Sequence, residues 1–543
     1  MTGVQKGAKW SVDSLELREG NLYSYGWCAD SDRTIFKLDL VLEYSTGSLE
    51  TVTTQYGVSR RDVTATFPDL PSACGYLAYA TLSSREPVKN IWLRLHHADG
   101  TRQDLSCPVP RQIESSKGER YGQRMLQWRL LLGYATRALR LVRQGQWRTV
   151  WQRAKALAAR LNAPFGSDAT LRDVFSRLAP GAVFVLDHSL GGGANKYSAE
   201  LVQSLAESGR DVVLWTFTPV LLRHEICIHD GGGAPLRKFH LAWEKWELLL
   251  ASRKVSEVVF NNCVGFPRQE QIPAMLLAFR QAGGARLRLL LHDFNMACPS
   301  YFLLNQEGKF CGVPDVSQCR QCLPRINDGL VRLFVARDID LWRSRWGELL
   351  NVADEIVHFS PSSRTFLSRA YPSIRPEQWV FRPHRMSPPV GRFQYPRQEA
   401  GLRVAVVGQI GVHKGSEVVL ALLEEAKRQH VNLHVVVVGT LEAEAKPEDI
   451  TQTGVYKPEN LATLLNQHAV HLALMPSIWA ETFSYVTHEL MGLMVPLLAF
   501  DFGAQAEAVS AYARGRVIPF GSAHDLLREL SDFKRELDSR DLS

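Results

Sequence analysis

The chain has 543 residues, of which 45% are hydrophobic and 22% charged, with a formal net charge of +7 and nine cysteines. This length predicts three or four domains rather than one, and the composition is typical of a globular, soluble protein. No apolar run of about 18 residues is present, which excludes a predicted transmembrane helix, and residues 1–6 begin a polar stretch without a signal-peptide core. We therefore expect a cytoplasmic protein whose cysteines are thiols or metal ligands rather than disulfides.

Residues 1–110 are predicted to be all-β. Short alternating runs at 37–44 and 91–95 are separated by turn signals such as Ser-Thr-Gly at 45–47 and Asp-Gly at 99–100. This pattern predicts a β-sandwich-like accessory domain.

Residues 111–165 contain the excess positive charge, with twelve Lys or Arg and only two acids, Glu114 and Glu119. Their Leu and Trp residues are interleaved with arginines, which predicts a basic amphipathic helix. Such a helix can lie on an anionic membrane surface, and the alternative is a linker helix that packs on the domains with its arginines in solvent. Nucleic acid is not expected as a partner, because no recognised binding module accompanies the charge.

From about residue 180, predicted strands alternate with helices, as in a parallel sheet that is covered by helices on both faces. A second series of strands follows a proline-rich stretch near 380–400. The sequence therefore predicts two Rossmann-like α/β lobes, 166–395 and 396–543, with a cleft between them. The predicted strands are 182–187, 211–217, 257–260, 286–291 and 355–359 in the first lobe, and 402–408, 434–439, 471–475 and 496–500 in the second.

Residues 476–489 set Glu481 and Glu489 eight positions apart at the start of a predicted helix. Eight helical residues span roughly 12 Å, about the distance from a sugar ring to a nucleotide ribose. The backbone amides of Phe483 and Ser484 would lie at the helix N-terminus, where free N–H groups and the helix dipole favour phosphate. Two unrelated glutamates on a helix surface share this spacing by chance, but the surrounding Pro-Ser-x-Trp-x-Glu-Thr-Phe does not commonly accompany them.

This segment resembles the E-x7-E signature of retaining GT-B glycosyltransferases, especially family 4. The resemblance implies that Glu489 binds ribose hydroxyls and that Glu481 contacts the donor sugar near its reacting carbon. No catalytic metal is expected, because the D-x-D triplets at Asp30 and Asp338 lie in a predicted turn and in a helix predicted over 332–346.

The stretch from Gly408 through Gly411 to Lys414 resembles the family's phosphate-binding turn, in which an Arg and a Lys hold the diphosphate. Lys414 matches that Lys, although a lysine outside this context is usually a solvated surface charge. Gln409 stands where the Arg is usual, which removes one cation from the site. Candidate substitutes are Arg403, Arg382 and Arg385.

The first lobe contributes a glycine loop and a histidine. Gly192 and Gly193 would let the backbone approach a ligand before a helix predicted over 198–208, although a plain flexible turn fits equally. His292 follows a strand and resembles the family's cleft histidine, which touches the donor sugar, whereas a lone histidine is more often structural. Asp293 would orient the imidazole or cap the loop.

A cysteine-rich insert, 298–322, interrupts the first lobe. Four thiols that include a C-x-x-C pair suit a tetrahedral structural zinc site, and free thiols or a disulfide or redox pair are the alternatives. The four residues are Cys298, Cys311, Cys319 and Cys322.

The sequence as a whole predicts a GT-B glycosyltransferase that moves a sugar from a nucleotide-sugar to a hydroxyl acceptor with retention. The acceptor would be a glycan or lipid-linked glycan of bacterial surface polysaccharide synthesis, and the protein would be peripheral on the inner face of the cell membrane. The alternative is a non-catalytic glycan-binding or scaffold protein with decayed lobes, which Gln409 favours and Glu481, Glu489 and Lys414 oppose. No feature indicates a GT-B epimerase or phosphorylase.

Overall fold

The computed structural model describes residues 2–107, 151 and 164–539, with gaps at 6, 19–20, 59, 72, 83, 85, 220–222, 233–236, 268, 327–337, 398–399 and 443–449. The basic helix predicted over 111–165 therefore lies outside the described residues, apart from Trp151 and residues 164–165. Among the described residues, no helix is long and apolar enough to cross a membrane.

Two antiparallel sheets build the N-terminal region, in agreement with the predicted β-rich segment, and one short helix is added. The sheet orders are β1-β2-β3-β7-β6 and β5-β4-β8-β9. Leu38, Leu40 and Leu42 on one strand and Leu93 and Leu95 on its neighbour are fully buried, which places an apolar core against this face. The elements are β1 (Thr2–Gln5), β2 (Ala8–Arg18), β3 (Asn21–Asp30), β4 (Ile35–Tyr44), β5 (Leu49–Thr53), β6 (Gln55–Val58), α1 (Arg61–Thr66), β7 (Gly75–Thr81), β8 (Val88–His97) and β9 (Arg102–Cys107).

The first lobe is an eight-stranded sheet with helices, in the order β13-β12-β11-β10-β14-β15-β16-β17. Six strands are parallel, and their near-continuous apolar sequence fits burial on both faces. The pair β12 and β13 adds an antiparallel edge. The elements are α2 (Asp168–Ser176), β10 (Ala182–His188), α3 (Gly193–Glu207), β11 (Val212–Thr218), β12 (Arg223–His229), β13 (Arg237–Leu241), α4 (Trp246–Ala251), β14 (Val255–Phe260), α5 (Ile272–Gly283), β15 (Arg286–Leu290), α6 (Val316–Cys322), α7 (Ile339–Val352), β16 (Glu355–His358), α8 (Pro361–Ala370) and β17 (Trp379–Phe381).

The second lobe is a six-stranded, fully parallel sheet in the order β20-β19-β18-β21-β22-β23. Its central strands are buried throughout, as Val435, Val436, Val437 and Val438 show with no exposed surface. The elements are β18 (Leu402–Ile410), α9 (Ser416–Arg428), β19 (Leu433–Leu441), β20 (Ile450–Gln452), α10 (Leu461–Gln467), β21 (Leu472–Met475), α11 (Tyr485–Gly492), β22 (Leu497–Phe500), α12 (Gly503–Ser510), β23 (Gly515–Ile518) and α13 (Ala523–Ser539).

Two predicted helix starts differ from the structure. The helix predicted over 198–208 begins at Gly193 instead. Its N-cap residue is Gly192, which has no side chain to cap the helix. The helix predicted over 332–346 starts at Ile339 among the described residues, and Asp338 is its N-cap, with its carboxylate accepting from the amides of Asp340 and Leu341. The first aspartate of this D-x-D triplet therefore caps a helix.

Candidate active site

Glu481 is buried in the loop that follows the carboxyl end of β21 in the second sheet. Only 3% of the surface of Glu481 is exposed. The hydroxyl of Ser477 donates to Oε1 of Glu481, and Nζ of Lys414 lies 3.5 Å from the same oxygen. The backbone around it is fixed by the side chain of Gln505, which accepts from the Glu481 amide at 3.1 Å. A carboxylate that is buried beside a cation and a hydroxyl donor is held in one orientation.

The predicted phosphate-binding turn connects β18 to α9. Lys414 ends a short 3-10 turn and is partly exposed, with 33% of its side chain accessible. Gly415 follows with φ of +85°, and a Cβ there would lie 2.0 Å from the carbonyl oxygen of Pro476. Only glycine fits this position, because both the backbone conformation and the close approach exclude a side chain. The turn and the segment that carries Glu481 are therefore in direct contact.

Gln409, which replaces the usual arginine, pairs with a carboxylate. Its Nε2 donates to Oε1 of Glu442 at 2.8 Å. Gly411 lies beside the same carboxylate, since a Cβ there would be 3.0 Å from Oε2 of Glu442. Gly408 has φ of +113°, and its carbonyl oxygen would lie 2.0 Å from a Cβ on Gly439 of the next strand.

Contacts and strand positions describe two of the three candidate substitutes for the missing arginine. Arg403 is the second residue of β18, at the opposite end of that strand from Gln409. The guanidinium of Arg382 lies 3.9 Å from Glu355, a residue at the start of β16. The part of Arg385 in the site stays a prediction.

The helix α11 begins immediately after the two predicted phosphate-binding amides. Ser484 is the N-cap residue, and its side chain makes no capping hydrogen bond. Phe483 stacks on His488 with ring centroids 4.5 Å apart. Glu489 follows one turn later, where burial raises the pKa of its carboxyl group and the positive charge of Lys196 opposes that rise. The amides and both glutamates thus share one short stretch of chain.

His292 lies in an aromatic cluster between the lobes. Its ring stacks on Phe359 at 4.4 Å and meets Tyr197 edge-on at 5.0 Å. Burial, together with His384 and His188, lowers the pKa of His292 well below its usual range, so the imidazole is neutral. Its Nε2 is buried and has no hydrogen-bond partner among the described residues. A neutral imidazole with a free ring nitrogen can hydrogen-bond to a ligand hydroxyl.

Asp293 caps the loop after β15. Its carboxylate accepts from the amide of Asn295 and from the side chain of Asn262, each at 2.8 Å. Of the two predicted roles for Asp293, loop capping matches these hydrogen bonds.

The glycine loop of the first lobe faces the second lobe. Gly192 has φ of +91° and is exposed, with no atom within 4 Å of a Cβ placed on it. Gly193 begins α3, and a Cβ on it would lie 2.9 Å from Cε2 of Tyr485. The side chain of Asn195 stabilises the loop: it accepts a hydrogen bond from the Gly191 amide and donates one to the carboxylate of Asp187. Of the two predicted glycines, Gly193 therefore lies against Tyr485, the first residue of α11, and Gly192 does not.

Three further contacts join the lobes around these residues. The hydroxyl of Thr482 donates to the carbonyl oxygen of His292 at 2.7 Å. The amide of Ser362 donates to the carboxylate of Glu507 at 2.6 Å. Phe302, in the cysteine-rich insert, stacks on His413 of the phosphate turn with centroids 4.2 Å apart. The structure thus brings the Glu481 segment, the His292 loop and the insert together.

The four cysteines of the insert share one small region. Cys319 belongs to an apolar cluster against which Cys298 and Cys322 pack. Burial, together with Cys319 and Cys322, raises the pKa of the Cys311 thiol to about 11. Among the described residues, no three His, Cys, Asp or Glu side chains are grouped so that they could hold a metal ion. Zinc at these cysteines therefore stays a prediction.

Sequence reasoning did not identify three residues that line the gap between the lobes. Nδ1 of His384 and the hydroxyl of Tyr485 share a hydrogen bond of 2.7 Å. Nζ of Lys196 lies 4.9 Å from the centre of the Tyr485 ring. Lys196 stands three positions after Gly193, which places both on one face of α3. The three-residue spacing from Gly193 could have predicted that Lys196 lies on the same helix face, whereas the position of His384 depends on how the two lobes meet.

Comparisons with known proteins identify the second lobe. Residues 390–541 match the family described as "Glycosyl transferases group 1". No curated protein matches the sequence.

Solved structures resemble the chain only distantly. Sucrose-phosphate synthase from Thermosynechococcus elongatus is 15% identical with a TM-score of 0.41, covering 66% of this chain and 94% of that one. The Anabaena protein HepE, in complex with UDP-glucose, is 13% identical with a TM-score of 0.41, covering 66% and 92%. WaaG, a glycosyltransferase involved in lipopolysaccharide biosynthesis, is 14% identical with a TM-score of 0.38, covering 66% and 93%. By the family match, residues 390–541 are thus similar to the glycosyl transferases group 1 family, and the chain is a glycosyltransferase.

Proposed function

We propose that the protein is a retaining, family 4-like GT-B enzyme that transfers a sugar from a nucleotide-sugar to a hydroxyl acceptor. The observation that carries this proposal is the position of the buried Glu481. Its carboxylate lies 3.5 Å from Nζ of Lys414. The next residue, Thr482, donates a hydrogen bond to the carbonyl oxygen of His292. A carboxylate, a cation and a neutral imidazole near one gap between the lobes support the proposal.

The diphosphate would be held by the second lobe. Lys414 supplies a positive charge, and the amides of Phe483 and Ser484 lie at the N-terminal end of α11. Such preorganised donors stabilise the charge that develops on a departing diphosphate. Gly408 and Gly411 would let the backbone approach the phosphate groups closely. Glu489 would accept hydrogen bonds from the ribose hydroxyls.

The donor sugar would occupy the gap between the lobes. Glu481 would contact it near the reacting carbon, and His292 would hydrogen-bond to a sugar hydroxyl through its free Nε2. Gly192 and Gly193 would form the wall of the first lobe. Closing the lobes would exclude water and so suppress hydrolysis of the donor.

The direct test measures nucleotide release from purified protein with a panel of nucleotide-sugars and glycan acceptors. The anomeric configuration of the product, read by NMR, checks retention. Glu481→Gln should remove transfer while the unfolding temperature stays near that of the wild type. Wild-type turnover in this variant would contradict the site assignment.

A second candidate function is a glycan-binding or scaffold protein that has lost catalysis. The hydrogen bond between Gln409 and Glu442 favours it, because a carboxamide and a carboxylate stand where a cation usually binds phosphate. The two functions separate in one assay: an enzyme releases nucleotide faster when acceptor is present, whereas a scaffold binds glycan without releasing nucleotide.

The proposed setting is bacterial surface polysaccharide synthesis, such as O-antigen, capsule or exopolysaccharide. The protein would be cytoplasmic and peripheral on the inner face of the membrane, with 111–165 as the contact to anionic lipid and a lipid-linked glycan as acceptor. Its local charge of +10 supports this placement. Deleting 111–165 should weaken the pelleting of the protein with anionic vesicles and leave its binding to neutral vesicles unchanged. If the full chain and the deletion variant pellet equally with anionic vesicles, the proposal is contradicted.

A further inference from the structure

Resting on the proposed function, we propose that Lys196 of the first lobe supplies the second cation for the donor diphosphate, in place of the arginine that Gln409 replaces. Lys196 and Lys414 belong to different lobes, so their two positive charges would contact the diphosphate from opposite sides of the gap.

The position of Lys196 follows from the helix on which it lies. Gly193 is the first residue of α3, and Lys196 is three positions later on the same face. Gly193 contacts the Tyr485 ring so closely that a Cβ would lie 2.9 Å from Cε2. Nζ of Lys196 lies 4.9 Å from the centre of that same ring. This face of α3 is therefore fixed against the first residue of α11.

The Tyr485 ring marks the diphosphate position. Tyr485 directly follows Phe483 and Ser484, whose amides precede α11 and form the proposed phosphate contact. The ammonium group is thus within a few ångströms of a residue adjacent to those amides. Its charge also reaches Glu489, the proposed ribose ligand, since it opposes the rise in that carboxyl's pKa.

Lys196 is free to change partner. It is exposed, and its contact with the Tyr485 ring is a cation–π contact, which is weak at an exposed site. A lysine side chain has a flexible four-carbon stem, so the ammonium group can leave the ring for a phosphate oxygen without any change in the backbone.

At the position of the usual arginine, the second lobe has no positive charge. Gln409 is neutral, and its amide is bonded to Glu442. Arg403 lies at the far end of β18, and Arg382 pairs with Glu355. Donor affinity would then depend on bringing the first lobe close, which couples diphosphate binding to closure of the gap.

The test measures binding by calorimetry to UDP, GDP and ADP, and to their nucleosides uridine, guanosine and adenosine. The variants are Lys196→Met and Lys196→Arg. The matched control is Lys427→Met, which removes the same charge from an exposed position in the last turn of α9, far along the helix from the turn. Each protein is measured at low and at high ionic strength.

We expect Lys196→Met to weaken binding of the preferred diphosphate by roughly 10- to 100-fold, as for the loss of a charge-assisted hydrogen bond. The affinity for the nucleoside should stay unchanged, and the salt dependence should become shallower. Lys196→Arg should restore most of the affinity, and Lys427→Met should bind like the wild type.

Diphosphate affinity of Lys196→Met equal to that of the wild type would overturn the inference. An equal loss for nucleoside and diphosphate would also overturn it, because that result indicates a structural role. If the folded wild-type protein binds none of the three diphosphates, the proposed function fails and this inference fails with it.

Discussion

Gly193→Ala tests whether the contact between the glycine loop and Tyr485, the first residue of α11, matters for activity. The substitution adds one methyl group at the first position of α3, where the backbone itself can accept alanine. That methyl carbon would lie 2.9 Å from Cε2 and 3.1 Å from Cδ2 of Tyr485. An ordinary carbon–carbon contact is about 3.5–4.0 Å, so the ring or the lobe must move by roughly half an ångström or more.

Two opposing effects set the expected magnitude. Alanine in a helix is more favourable than glycine by about 0.5–1 kcal/mol, which stabilises the first lobe. Overpacking of a close contact costs about 1–3 kcal/mol, and here the cost falls on the approach of the two lobes. We therefore expect little change in unfolding temperature but a loss of kcat/KM of roughly 5- to 150-fold, since about 1.4 kcal/mol corresponds to a factor of ten.

The assay is steady-state sugar transfer combined with thermal unfolding. Gly283→Ala is the matched control, because Gly283 is also helical and a Cβ on it would meet no atom within 4 Å. If Gly193→Ala and Gly283→Ala have the same kcat/KM, the contact with Tyr485 has no part in catalysis and the reasoning is refuted.

Three further predictions address the remaining groups of the site. Glu481→Ala and Lys414→Ala should each lower transfer by at least about 100-fold with the fold intact, because each removes a charge from the reacting region; unchanged turnover in both would reject the assignment. Metal analysis should give about one zinc per chain, lost in Cys311→Ser and in Cys319→Ser, and a ratio near zero would exclude the zinc. Burial, together with His488 and Lys196, lowers the pKa of His384 to about 4. The unfolded chain therefore binds more protons between about pH 4 and pH 6.5, and the free energy of unfolding should fall by about 2 kcal/mol from pH 7.5 to pH 5 through this group. His384→Gln should lose that part of the dependence in urea titrations, and an unchanged pH profile would contradict the assignment.

The sheets of both lobes could be predicted from the sequence because their strands are apolar throughout. The run from Val435 to Val438 is buried on both faces, so its composition alone indicates a central parallel strand. The antiparallel edge strands β12 and β13 were missed. Their sequence alternates polar with apolar residues, as in Arg223–His229, and its burial alternates in the same way. Such alternation is the usual sequence signal of a half-buried strand, so these two strands could have been predicted.

The site could be predicted only in part. Glu481 and Lys414 were identified by spacing and lie together, since both belong to loops at the same edge of one parallel sheet. The predicted start of α3 near Ser198 was wrong, because serine is a common N-cap, whereas the helix begins at Gly193 without a side-chain cap. His384 could not be found, because its contacts come from both lobes and depend on their arrangement.

The packing of the 479–483 segment affects how the chain can be divided. Trp479 and Ala480 are part of the apolar core of the first lobe, and Phe483 packs against a second apolar cluster of that lobe. A polypeptide of 390–541 alone would uncover these side chains to water. We expect such a fragment to aggregate unless the preceding half is supplied in trans. The stretch that sequence similarity delimits is therefore shorter than the unit that can fold autonomously.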